Sequence, residues 1–283
     1  MPQGLSLHIG LNAVDPGKYE GWSGDLVACE QDANDMAALA AASGFTVQPP
    51  LLTRDATAEA VTTALTDAAS RLHDGDQLFL TYSGHGGQVP DTNGDEPDRR
   101  DETWVLYDRQ LIDDELYELY SAFEQGVRIV VLSDSCHSGS VARRLPDFLS
   151  VAALEQRFGT SRPEEVEKRV RALPRDIQDR LYHRDQKLYD GIQAARPAKD
   201  GREIGASVLL ISGCQDNQTS ADGEVNGLFT GTLLNTWNGG GFRGSYRALH
   251  RAIVAEMPPD QTPNLFLTGL SDPGFTRRRP FRI

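Results

Sequence analysis

Long apolar runs are missing from this 283-residue sequence. Nowhere do about 18 apolar residues follow one another, so no membrane-spanning helix and no membrane partner are expected. The opening MPQGLSLHIG lacks a basic start followed by a long apolar stretch, and a secretory leader is not expected. The location expected is cytoplasmic. Cysteine is scarce: Cys29, Cys136 and Cys214 are too few and too scattered for a disulfide framework or a zinc finger, and free thiols suit a reducing compartment. Basic residues are outnumbered, 28 Lys and Arg against 41 Asp and Glu, giving a net charge of −13. Such a chain repels a polyanion, which argues against a nucleic-acid partner. There is no internal repeat and no low-complexity tract.

What remains is an ordinary globular composition, 39% hydrophobic and 24% charged, in a chain long enough to bury a sizeable core. Strand and helix patterns alternate: strands at 5–10, 45–52, 77–82 and 127–133, and helices at 26–42, 57–72 and 112–123. The near-continuous apolar strands suit a parallel sheet covered on both faces by helices. Strand and helix signals resume at 207–212, 227–237, 245–256 and 262–267. Between them the rhythm breaks. Residues 143–202 carry fourteen of the 28 basic residues against ten acids, so this stretch is about +4 and the remainder about −17. Ile177, Leu181, Leu188 and Ile192 form one helical stripe within it. The expected organisation is one α/β domain over 1–283: a first segment 1–142, a basic helical insert 143–205 and a last segment 206–283.

Chemistry concentrates at two strand ends. RIVVLSDSCHSGS places Cys136 beside His137, but neighbouring side chains leave a strand in opposite directions and are poorly set to share a proton. A thiol nucleophile needs an imidazole within about 3 Å, usually brought from elsewhere in the fold. His85, in LFLTYSGHGG, is that candidate: parallel strands deliver their carboxyl ends to one edge, where ligands bind. The N–H groups of Gly86 and Cys136 are then candidates for an oxyanion hole. A zinc site built from Cys136, His137 and His85 is the rival, disfavoured because adjacent ligands have poor geometry and no second Cys/His cluster supports it.

Several motifs together, CEQDAND, YSGHGGQ, DETWVLYD, IDDEL, DSCHSGS and ISGCQDNQTSAD, resemble those of the metacaspases and their bacterial relatives the orthocaspases, within the caspase-like cysteine peptidases. The resemblance runs from about Leu5 to Leu270, with only the insert outside it. It implies a caspase-like, mostly parallel six-stranded sheet sandwiched between helices, a His85 general base, a Cys136 nucleophile, a thioester acyl-enzyme and protein or peptide substrates. Cleavage after Arg or Lys follows from an S1 pocket that matches at Cys29, Asp32, Ser83 and Asp134. Asp134, two residues before Cys136, leans to the same side of its strand and would raise the thiol's pKa unless a substrate cation sat beside it. The resemblance also implies a monomer.

No cofactor is required for this chemistry. Calcium is expected at most as an activator, through acids corresponding to Asp101, Asp113 and Asp114; the further acid expected after CHSGS is replaced here by Val141, Ala142, Arg143 and Arg144. The loop DTNGDEPDRRDE has EF-hand-like acids, but Glu96 stands where the turn needs glycine, and a solvated loop is the simpler reading. A pocket selective for basic residues would find Arg143, Arg144, Arg175, Arg180, Arg184 and Lys187 in the insert attractive, so self-cleavage is expected there. Two rivals stand beside the peptidase. One is a catalytically silent caspase-fold interaction protein, and the other a thiol-based transpeptidase or ligase whose thioester goes to an acceptor other than water.

Overall fold

LSLHIG, QLFLTYS and RIVVLSD lie in three seven-residue strands in which every residue is buried. Their β-branched and large apolar side chains pack on both faces, which only a sheet covered on two sides can satisfy. The protein is described by a computed structural model covering residues 1–94, 96, 98–136, 154–155, 161–162, 165–166, 169–195, 204–214, 221–223, 225–259, 261–269, 272 and 274–283. In chain order its main elements are β1 (Gly4–Gly10), α1 (Cys29–Ala42), β2 (Thr46–Val47), β3 (Leu51–Leu52), α2 (Ala58–Arg71), β4 (Gln77–Ser83), β5 (Gly86–Pro90), β6 (Arg100–Val105), β7 (Gln110–Ile112), α3 (Asp113–Ser121), β8 (Arg128–Asp134), α4 (Arg175–Ala194), β9 (Ser207–Ser212), α5 (Leu228–Trp237), α6 (Tyr246–Glu256) and β10 (Asn264–Thr268).

The main sheet runs β10-β9-β8-β4-β1-β2, with β3 sharing the β1 edge. All its pairs are parallel except β10 with β9. The stretch expected as one strand over 45–52 is two short strands, because Pro49 and Pro50 cannot donate to a ladder. On one face Leu7, Leu80 and Val131 pack with Val61 and Leu65 of α2 and Leu116 of α3. On the other, Phe79, Val130 and Leu209 pack with Met36 of α1, Leu233 of α5 and Ile253 of α6. The mostly parallel sheet between two helical layers is as expected, with seven strands rather than six because the stretch 45–52 splits in two.

A second, antiparallel sheet, β5-β6-β7, grows directly out of the end of β4. Helix α4 lies against it. Of the stripe expected on this helix, Ile177 and Leu181 are buried but Leu188 is 45% exposed. The helix kinks at Asp185 (φ −105°, ψ 17°), and beyond the kink Tyr189 and Gln193 are buried, while Ile192 of the stripe packs half-buried against Val89, Ile112 and Tyr189. Among the described residues no helix is long and apolar enough to cross a membrane.

Candidate active site

Strands β4 and β8 are neighbours in parallel register, with Ser83 opposite Asp134. His85 and Cys136 each lie two residues past that pair, so the chain delivers them to the same height at the sheet's carboxyl edge. Both are buried. The His85 ring stands 4.7 Å from that of Trp22, and its Nε2 is 2.9 Å from the carbonyl oxygen of Gly24. A carbonyl only accepts, so Nε2 carries the proton and Nδ1 is left with its lone pair. Nδ1 is buried and has no hydrogen-bond partner among the described residues. Burial holds the imidazole down at a pKa of about 4, against a smaller opposing pull from Gly24. This is a neutral ring with a bare acceptor nitrogen, the state a general base needs.

The peptide N–H groups of Gly86 and Cys136 converge on one atom. Each donates over 3.0 Å to the carbonyl oxygen of Arg171. The flanking chain runs through the site like a bound strand: Asp222 N–H donates to Arg169 O (2.8 Å), Val170 bridges Ala221 in antiparallel fashion, and Leu173 N–H donates to Gly86 O (2.7 Å).

The Arg171 side chain enters a fully buried pocket beneath this edge. Its Nη1 donates to Ser83 Oγ (2.8 Å) and lies 3.1 Å from Asp134 Oδ2; its Nη2 reaches Asp32 Oδ2 (2.8 Å) and Asp222 Oδ1 (2.9 Å). The carboxylates are themselves held. Asp32 accepts from Ser83 Oγ and Gly227 N–H, Asp134 from the N–H and Oγ1 of Thr230, and Asp222 from the N–H groups of Val27 and Ala28. Three carboxylates around one guanidinium leave a surplus of negative charge. Burial accordingly pushes the Asp32 carboxyl upward despite Arg171, and the carboxylate of Asp134 adds to the push. Gly227 leaves the room: a Cβ there would lie 2.5 Å from both Arg171 Nη1 and Asp134 Oδ2.

The four residues expected in the pocket, Cys29, Ser83, Asp32 and Asp134, are gathered around Arg171. Cys29 is a buried lining thiol whose pKa burial raises. Three contributors were not foreseen: Asp222, Gly227 and Thr230. Asp222 stands in the ISGCQDNQTSAD motif, but no spacing rule ties it to a pocket 190 residues earlier in the chain. Arg171 was not foreseen either. Of the basic residues expected to attract cleavage, Arg143 and Arg144 lie outside the described residues, as does His137. Arg175, Arg180, Arg184 and Lys187 sit on α4. A helix closes its own backbone hydrogen bonds and cannot pair along a cleft. Arg180 instead pairs with Asp176, and Arg184 with Glu20.

Of the expected acidic set, Asp113 belongs to a cluster with two further acids. Carboxylate oxygens of Glu96, Glu102 and Asp113 lie within 4.8 Å of one another. Asp101 is buried on β6, and Asp114 accepts from Asn93 Nδ2 at 2.9 Å. Among the described residues Asp113 thus converges with Glu96 and Glu102.

A mostly parallel sheet between helices, with a buried imidazole and a buried thiol at the carboxyl ends of two neighbouring strands, is the arrangement of a caspase-type domain. The caspase-domain family model matches residues 13–275, and the chain belongs to that family. It is 34% identical over 169 residues to Metacaspase-1A of Aspergillus oryzae and 35% identical over 175 residues to Metacaspase-1 of Schizosaccharomyces pombe. Each match takes in 56% of this chain and 40% of the relative, so the chain spans about two-fifths of the length of these curated relatives. A solved protein from Geobacter sulfurreducens is 51% identical, with a TM-score of 0.85 over 100% of this chain and 99% of that one. Caspase-1 of Spodoptera frugiperda, 10% identical with a TM-score of 0.52 over 99% of this chain and 90% of its own, shares the fold.

Proposed function

We propose that the protein is a metacaspase-like cysteine endopeptidase that cleaves after Arg, and less readily after Lys, and that its first substrate is its own Arg171–Ala172 bond. The observation that carries this is the double engagement of Arg171: its carbonyl oxygen lies between two N–H donors while its guanidinium fills a pocket of three carboxylates. Cys136 Sγ attacks the Arg171 carbonyl carbon and gives its proton to His85 Nδ1. The oxygen takes on negative charge in the hole formed by Gly86 and Cys136, where a single donor is typically worth about 10²- to 10³-fold in rate. His85 then protonates the Ala172 nitrogen, the C–N bond breaks, and water activated by the same imidazole releases the thioester.

Preference for Arg over Lys follows from shape. The planar fork reaches Ser83, Asp32, Asp134 and Asp222 together, whereas an ammonium is a compact point charge. A substrate Asp would bring a fourth carboxylate into the pocket and is refused. Calcium fits as an activator rather than a participant. Three convergent carboxylates at Glu96, Glu102 and Asp113 offer the oxygen ligands a hard cation takes.

The test is hydrolysis of fluorogenic peptides with Arg, Lys or Asp at P1 by the self-processed protein and by Cys136→Ala. Release after Arg, abolished in the variant, is the expected result. Release after Asp would overturn the pocket assignment, and inertness toward all three peptides with an uncut chain would favour the silent interaction protein.

A further inference from the structure

The self-cut as proposed above has a consequence that depends on what happens to its leaving side. In an ordinary proteolysis the new amine diffuses off and water finishes the reaction. Here residue 172 begins a segment anchored independently of the bond that breaks. Leu173 is fully buried with Ile177 and Leu181 against Val14, Tyr19 and Val105. Its N–H is fixed at 2.7 Å to the carbonyl oxygen of Gly86, the residue whose own N–H faces Arg171 O. Further along α4, Gln178 Oε1 accepts from Gln88 N–H (2.8 Å) and Gln193 Oε1 from Thr92 N–H (2.6 Å). Gln193 Nε2 donates to Pro90 O (2.9 Å), and Tyr189 packs with Val89 and Ile112. None of these contacts passes through the Arg171–Ala172 bond.

The acyl side is held as firmly, by the pocket and by the pairing of 169–170 with 221–222. Between the two halves, His85, Cys136, Arg171 and Ala172 are all buried, so water has poor access to the thioester. Well-oriented intramolecular partners reach effective concentrations of about 10⁵ to 10⁸ M, far above the molarity of liquid water.

We propose that the protein is a peptide ligase toward its own cut, resealing Arg171 to the docked Ala172 amine. The neutral Ala172 amine attacks the Arg171 thioester carbonyl and passes a proton to His85. The C–S bond then breaks to return the Cys136 thiolate, which takes the proton back. Starting from the hydrolysed carboxyl group, Cys136 first re-forms the thioester with loss of one water, so the whole reversal needs no energy source or co-reactant beyond the two held ends. Cutting alone therefore leaves a mixture of cut and intact chains. The cut becomes permanent when α4 leaves its seat on β5.

The experiment takes the self-processed protein, both pieces together, into H₂¹⁸O and follows intact mass and the Arg171 carboxyl group over time. The expected result is return of the full 283-residue mass from the cut form, reaching the same proportion that freshly made intact protein reaches from the other side. Cys136 alkylation should stop it. Leu181→Ala, and separately the milder pair Gln178→Ala with Gln193→Ala, should lower the intact fraction at least severalfold while ¹⁸O still exchanges into Arg171. A chain never cut at this bond would refute the self-cleavage reading itself. A cut chain whose Arg171 carboxyl exchanges oxygen but whose full-length mass never returns would overturn resealing and leave the peptidase reading standing.

Discussion

Replacing Arg171 reports directly on how the pocket works. Lysine keeps the charge but cannot reach Ser83, Asp32, Asp134 and Asp222 at once, and loses one or two charge-assisted hydrogen bonds worth about 1.5–3 kcal/mol each. Water entering the vacated space offsets part of this. The net loss of about 1.5–3 kcal/mol, if felt in the transition state, slows the self-cut by about 10- to 150-fold. Glutamine removes the charge altogether. Three buried carboxylates then face no cation, a situation that costs about 3–5 kcal/mol when one partner of a buried pair is deleted. Segment 169–173 relieves that cost by lifting away, and the cut disappears. The assay is cell-free synthesis with a short label pulse, measuring the rate at which the 172–283 fragment appears. The ordering wild type, then Lys, then Gln is expected, and the Gln variant should still hydrolyse an Arg peptide because its pocket is vacated. An Arg171→Gln chain cut after residue 171 within about twofold of the wild-type rate would refute the reasoning, since the carboxylates would then not be reading the side chain.

Three further outcomes follow from the same geometry. Gly227→Ala puts a methyl group 2.5 Å from both Asp134 Oδ2 and Arg171 Nη1, so KM for Arg peptides should rise about tenfold or more while kcat changes little; an unchanged KM would show that the pocket wall gives way. Burial lowers His85 to a pKa of about 4 and His8 to about 3, so between these values and the ordinary 6.5 the unfolded chain binds more protons than the folded one. Stability is therefore lost as pH falls through that window, by about 3 kcal/mol per histidine at pH 4. Urea midpoints of Cys136→Ala, which cannot cut itself, should drop accordingly, and less steeply with His8→Gln added. Glu102→Gln removes one of three convergent carboxylates, so calorimetry should show calcium affinity weakened by about tenfold or more and any calcium stimulation of peptide hydrolysis reduced. Unaltered calcium binding would place the ion elsewhere.

The fold and the meeting of two strand ends were legible because each rests on a local signal. Apolar runs such as RIVVLSD imply two-sided burial, and one shared edge for parallel strands sets His85 and Cys136 at the ends of neighbouring strands. The pocket's Asp32 and Asp134 came from motif resemblance. What escaped the sequence is set by long-range placement. Asp222 closes the pocket on a guanidinium that stands 51 residues before it in the chain. Arg171 is one basic residue among fourteen in its stretch, and only the extended run Val170–Leu173 before Pro174, set between turns and helix, separates it from Arg175 and Arg180. The three-stranded sheet β5-β6-β7 is weakly signalled in the sequence, since its glycines and acids carry weak strand propensity and pairing makes up for it. The kink at Asp185 turns Tyr189 rather than Leu188 inward, a change of helical phase that no regular stripe can foretell.

The most direct measurement is the amino-terminal sequence of the fragments that form when the purified protein processes itself, beside the same preparation of Cys136→Ala. A new terminus reading Ala172-Leu173-Pro174 in the wild type, and none in the variant, is what the account predicts. A terminus following Arg175, Arg180 or Arg184 instead, or the same Ala172 terminus appearing without the Cys136 thiol, would contradict it.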